Sequence, residues 1–152
     1  MILFVLTSKA ITHTINTNGN SFSPSFLTID IGDTVVWNNT GGSHNVNATL
    51  STFPNNPEGF GNSVGSGWTF THVFLLSGTY DYQCDPHVGM GMTGVVMVNI
   101  PGCTDPLACN YDPSATSDDG SCNYDVDVNN PQVICSGDSY IINGNTYTST
   151  GI

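Results

Sequence analysis

The sequence predicts an all-β fold, an antiparallel sandwich or barrel of short strands, followed by a small tail rich in loops and disulfides. Three observations carry that expectation. Lysine and arginine together number one in 152 residues, whereas glycine alone numbers 17. Long helices draw on Lys, Arg, Glu, Gln and Ala, so this composition favours strands joined by turns. Residues 11–100 also read as consecutive strand patterns separated by Gly, Asn, Pro and Asp punctuation. Finally, four of the five cysteines fall between 103 and 135, which indicates a cross-linked segment and an oxidising compartment.

The elements follow in order. Residues 1–10, MILFVLTSKA, pair the apolar run Ile2–Leu6 with Ser8-Lys9-Ala10. That resembles the end of a truncated secretory signal cleaved after Ala10; the competing reading is a buried first strand. Ile11–Thr17 alternates and stops at Asn18-Gly19-Asn20. Phe22–Ile31 runs to the turn Gly32-Asp33, and Thr34–Asn39 follows. Gly41-Gly42 leads into His44-Asn45-Val46, and residues 48–67, rich in Gly, Asn and Pro, are expected to form a long surface loop. Trp68–Leu76 and Thr79–Gln83 flank Ser77-Gly78, which predicts a hairpin. After a compact loop, Gly94–Ile100 closes the domain as a largely buried strand, and Pro101-Gly102 marks a boundary. A Cys- and Asp-rich module is expected over 101–125. Residues 126–152, alternating around Asn143-Gly144, read as the start of a β-rich repeat in a fragment of a longer protein.

Charge narrows the partners. The formal net charge is −11. Asp30, Asp33, Glu58, Asp81 and Asp85 face one cation, Lys9, up to residue 100; Asp105, Asp112, Asp118, Asp119, Asp125, Asp127 and Asp138 face none beyond it. A phosphate backbone or an anionic membrane surface needs a basic face, so nucleic acid is excluded and such membranes are disfavoured. No stretch approaches the roughly 20 apolar residues that span a bilayer.

The chemistry concentrates in Cys84-Asp85-Pro86-His87-Val88-Gly89-Met90-Gly91-Met92. A thiol, an imidazole and a thioether stand close together here, and a second imidazole, His44, lies where an upstream strand ends. A thiolate donates charge to Cu(II) and is soft enough to keep Cu(I), imidazole suits both states, and a thioether on the axis tunes the potential. One copper ion, cycling between Cu(I) and Cu(II), is the expected cofactor, with His44, Cys84, His87 and Met92 as ligands. His13 and His72 sit among threonines without ligand spacing and are expected to be surface or hydrogen-bonded core residues. Trp37 and Trp68 are expected in the core.

The strand pattern Phe22–Asn39, the triplet His44-Asn45-Val46 and the segment Cys84–Gly94 resemble the cupredoxin family, and within it plastocyanins and pseudoazurins. The resemblance covers about two-thirds of the chain. It implies a Greek-key sandwich over 11–100 and a type 1 (blue) copper site that shuttles single electrons, without enzymatic turnover of its own. It implies that Met92 is the axial ligand and that Met90 packs beside the site. It implies further that Asn45 supplies the one backbone N–H to the thiolate and ties the two ligand loops together. Pro86, lacking an N–H, withholds another. His87, with Val88 and Met90, would form the uncharged surface through which the electron leaves. Redox proteins such as c-type cytochromes or a copper oxidoreductase are the implied partners, at the periplasm, cell surface or extracellular side. Two other readings stand beside it, an electron-entry domain of a larger copper enzyme and a cell-surface structural module.

Residues 102–122 resemble a short module of secreted bacterial surface proteins, which would make the tail an attachment device. Cys103, Cys109, Cys122 and Cys135 allow three pairings, none preferred by sequence. Asp105, Asp112, Asp118 and Asp119 are candidate Ca2+ ligands; the alternative is solvated turn carboxylates.

Overall fold

Alternation of apolar and polar residues sets the sheet faces of the first unit. The computed structural model describes residues 9–124, 126–127, 130–133, 135, 139–142 and 145–148, so the signal-like segment 1–8 lies outside the described residues. The chain divides into two units, Met1–Asn99 and Ile100–Ile152.

In the first unit, β1 (Thr12–Asn18), β2 (Ser21–Ser23), β4 (Thr34–Asn38) and β5 (Thr69–Val73) form one sheet in the order β2-β1-β4-β5. The other sheet has the order β3-β7-β6, from Phe26–Asp30, Thr93–Asn99 and Gly78–Gln83. Both sheets send alternate residues into one core: Ile15, Phe22, Val35 and Trp37 from the first, Ile29, Tyr80, Tyr82, Val96 and Val98 from the second. Trp37 is its centre, with ring centroids 5.6 Å from Phe60, 5.7 Å from Phe70 and 5.6 Å from Tyr82. Edge-to-face geometries such as Trp37 on Tyr82 add to the burial of such large rings.

Three expectations are corrected here. The sandwich is mixed, not antiparallel throughout: β1 pairs parallel with β4, and β3 pairs parallel with β7. The run Phe22–Ile31 is two strands in different sheets, because Pro24 has no N–H to continue the ladder and the chain crosses there. The hairpin expected at Ser77-Gly78 does not exist. β5 pairs with β4 and β6 with β7, and the connection passes from one sheet to the other. Phe74, fully buried, turns inward at that crossing, and the Tyr80 hydroxyl donates to the Leu76 carbonyl at 2.8 Å.

The stretch 48–67 is also more than surface loop. Ala48, Asn56 and Phe60 are buried. The Ala48 N–H donates to the Phe60 carbonyl at 2.9 Å, and Phe60 stacks on His72 at 4.3 Å. Asn56 acts as a surrogate strand residue along β6. Its amide donates to the Asp81 carbonyl at 2.9 Å, and its side-chain oxygen accepts the Asp81 N–H at 3.0 Å.

In the second unit, β8 (Pro101–Gly102) pairs parallel with β9 (Ser117–Asp118), β10 (Val126–Asp127) pairs with β11 (Asn130–Val133), and β12 (Ser139–Ile142) pairs antiparallel with β13 (Asn145–Thr148). The last pair is the hairpin expected around Asn143-Gly144, although those two residues lie outside the described set. Disulfides join Cys103 to Cys122 and Cys109 to Cys135, resolving the three open pairings. The calcium expectation finds no support. Asp105, Asp112, Asp118 and Asp119 each accept a backbone N–H two residues ahead, at 2.8–3.0 Å. These are turn-forming carboxylates bound to their own backbone. Among the described residues, no three acidic side chains of the tail converge.

Candidate metal centre

Two chain segments meet at one end of the sandwich. The first leaves β4, passes Gly41-Gly42 and carries His44. The second leaves β6 and carries Cys84, followed by a 3-10 helix over Asp85–Met90 where sequence suggested only a compact loop. Pro86 fits the first turn, where its missing N–H has no partner to lose. Gly91 ends the helix at φ 86°, a left-handed conformation that glycine adopts without strain. The Gly91 turn brings Met92 back so that the Cys84 N–H donates to its carbonyl at 3.0 Å.

The geometry gathers a donor set. Cys84 Sγ lies 3.6 Å from His44 Nδ1 and 3.5 Å from His87 Nδ1, and the three atoms lie within 4.8 Å of one another. Metal–nitrogen and metal–sulfur bonds of about 2.0–2.3 Å place ligand atoms at such mutual separations. One thiol and two imidazoles presenting Nδ1 to a common point therefore fit a soft or borderline ion. Cys84, His44 and Met92 are buried, and Met92 belongs to the same core cluster as Cys84. His87 is half-buried at the surface.

His44 is held from behind. The His44 N–H and carbonyl both pair with Gly65, at 2.9 Å, and the Trp68 indole donates to the His44 carbonyl at 2.9 Å. Gly42, at φ +81°, passes so close that an added Cβ would meet His44 Nε2 at 2.5 Å. Asn39, buried, donates to the carbonyls of Gly42 and Gly65 at 3.2 and 3.1 Å. Electrostatics follow burial. Desolvation, then the neighbouring His87, push the His44 pKa down, which favours the neutral ring a metal ligand needs. Desolvation pushes the Cys84 thiol up; the backbone N–H groups of Asn45 and His87 oppose it, and the Asp85 charge adds to the rise.

Residues 9–99 match the family of copper binding proteins described as plastocyanin/azurin. The chain belongs to that family. Its members generally carry out copper-mediated electron transfer. It is 36% identical over 77 residues to a pseudoazurin of Paracoccus pantotrophus, covering 51% of this chain and 52% of that protein. The chain thus spans about half the length of that relative. It is 37% identical over 83 residues to a plastocyanin of Scenedesmus fuscus, covering 51% and 85%. Among solved structures, a pseudoazurin from Methylobacterium extorquens is 26% identical, with a TM-score of 0.49 over 57% of this chain and 74% of that one.

Asn45 ties the ligand segments together: its side-chain oxygen accepts the Asp85 N–H and its amide donates to the Asp85 carboxylate, both at 2.8 Å. Met90 is the last residue of the 3-10 helix, 66% exposed, and its sulfur accepts from Asn20 at 3.2 Å. Val88 is exposed next to it. His13 and His72 stand apart from the cluster, bound to Asp33 at 2.9 Å and to Glu58 at 3.0 Å. Trp37 lies in the core as expected, and Trp68 packs against it from the rim.

Sequence reasoning missed Asp85, Asn47 and Gln83. The Asp85 carboxyl is held below its ordinary range by Gln83 first, with Asn47 and Asn45 adding to the effect against desolvation. The backbone pairing of Asn47 with Gln83 brings their amides together, and no spacing announces it.

Proposed function

We propose that this chain is a type 1 copper electron carrier, with His44, Cys84 and His87 as the near ligands and Met92 as the axial one. The observation that supports it most is the approach of Cys84 Sγ and two imidazole Nδ1 atoms to within 4.8 Å in a chain of this family. Copper bound there would take up and release one electron. The protein's part is to keep the donors in one arrangement for both charge states. Residues at strand ends, fixed by Trp68, Gly42 and the Asn45–Asp85 pair, move little, so reorganisation stays small. Pro86 offers the sulfur no further N–H, which favours a higher potential.

The electron's exit is assigned to the edge of His87. Half exposed, it lies in the surface segment that also carries exposed Val88 and Met90, with no cation in it. A small apolar surface suits the weak, quickly reversed docking of redox partners, for which c-type cytochromes or a copper oxidoreductase are the proposed candidates. The disulfide pairs of the second unit favour an exported location, and surface attachment through that unit is compatible with carriage by the first.

Titration of the purified chain with Cu(II), followed by a mild reductant, tests the reading. An intense visible thiolate-to-copper band that bleaches on reduction and returns on oxidation is expected at one ion per chain. Binding without that band would sink the assignment.

A further inference from the structure

We propose that Asp85 is a positioning residue of the metal centre. Its carboxylate clamps the His44 segment onto the loop carrying Cys84 and His87, and places a negative charge one residue from the thiolate. The inference rests on the copper reading above. Asp85 Oδ2 accepts from Asn45 Nδ2 at 2.8 Å; Oδ1 accepts from Asn47 Nδ2 at 2.8 Å and from Gln83 Nε2 at 3.0 Å. The Asp85 N–H completes the set by donating to Asn45 Oδ1 at 2.8 Å. Two of the three amides, Asn45 and Asn47, belong to the segment that begins at His44. Gln83 precedes Cys84. The same segments are joined by paired backbone bonds between Asn47 and Gln83, at 2.9 and 3.0 Å.

Only a carboxylate meets this demand. Both its oxygens accept, so donors can approach from two sides at once. An amide in its place would turn an NH2 group toward Asn45 or toward Asn47 and Gln83, setting donor against donor. A hydroxyl would reach one side alone. Asn45 itself is buried, so its amide has little access to replacement water. The charge has a second consequence. A negative group near the ion stabilises Cu(II) more than Cu(I), which lowers the reduction potential. Pro86, which limits donors to sulfur, acts in the opposite sense. The adjacent pair Asp85-Pro86 therefore sets opposing influences on one thiolate.

The test uses the full chain, with Cu(II) and Cu(I) affinities measured by chelator competition and the potential by titration. Asp85→Asn is expected to stay blue, lose about tenfold in Cu(II) affinity, lose less for Cu(I), and shift its potential positive. Asp85→Ser should behave alike. The exchange Asn45→Asp with Asp85→Asn rebuilds the reciprocal pair with the charge on the other segment, and should recover part of the Cu(II) affinity. If wild type turns blue and both single variants keep its potential and affinities, Asp85 has no such role. The proposal falls equally if neither single variant folds, since the residue would then serve the sandwich as a whole. Failure of wild type to form a thiolate–copper band would sink the copper reading, and this proposal with it.

Discussion

Among single side chains, the four proposed ligands divide the work unequally. Cys84→Ser should abolish the visible band while the apo domain still folds, because a hydroxyl oxygen supplies no comparable charge transfer; surviving colour would reassign the ligand set. Met92→Ala should retain copper but change the potential, whereas Met90→Ala, at an exposed thioether held only by Asn20, should change neither. Asp33 provides a separate test away from the metal. Burial raises its pKa, but the N–H of Ile11, the His13 ring and the N–H of Asp30 outweigh that and hold it below its ordinary value of 3.8. A lowered folded pKa contributes stability that is full above the unfolded value and is lost as pH falls through the folded one. Asp33→Ala should therefore cost about 1–3 kcal/mol near neutral pH, and the difference from wild type should shrink below about pH 4 in urea melts. The gathering of His44, Cys84 and His87 was legible because metal chemistry ties residue type to spacing. Asp85 was not, because its amide partners meet through a backbone bridge that leaves no periodic trace.

Among elements, the strands were legible and their partners were not. Alternation located the strands of the first unit to within a residue or two, apart from the run that Pro24 divides between sheets and the strand expected over Trp68–Leu76, which ends three residues earlier at Val73. It says nothing about which sheet receives a strand. That is why Ser77-Gly78 resembled a hairpin turn, although Phe74 drives the chain across the core instead. The 48–67 stretch was opaque for a different reason. Its buried residues, Ala48, Asn56 and Phe60, are irregularly spaced; a single backbone bond joins Ala48 to Phe60, and Asn56 is held by side-chain bonds to β6. Asn56→Ala should lower stability by about 1–3 kcal/mol, since both the N–H and the carbonyl of Asp81 lose a partner; an unchanged urea midpoint would show that water replaces the amide.

Across the whole molecule, the described cross-links fall in one unit. Both disulfides lie between residues of the second unit, and Cys84 remains free in the first. Closing loops with sequence separations of 19 and 26 residues constrains the unfolded tail. A reductant should therefore loosen the tail and leave the near-ultraviolet circular dichroism of Trp37 and its neighbours in the apo protein unaltered. Coincident loss of both signals would mean the two units fold as one. Sequence left the disulfide partners open, because cysteine spacing does not say which pairs meet in three dimensions. The parallel register of β3 with β7 carries one more consequence. Phe26 aligns with Val95, and β3 has no other neighbour in its sheet. During synthesis this early strand must wait, unpaired, until nearly all of the first unit has emerged. Such long-range closure belongs to the slow, millisecond-to-second end of folding, about three orders of magnitude behind helical bundles. Copper meeting a nascent chain would find Cys84 and His87 without the finished scaffold, so timely metallation depends on the arrival of the last strand.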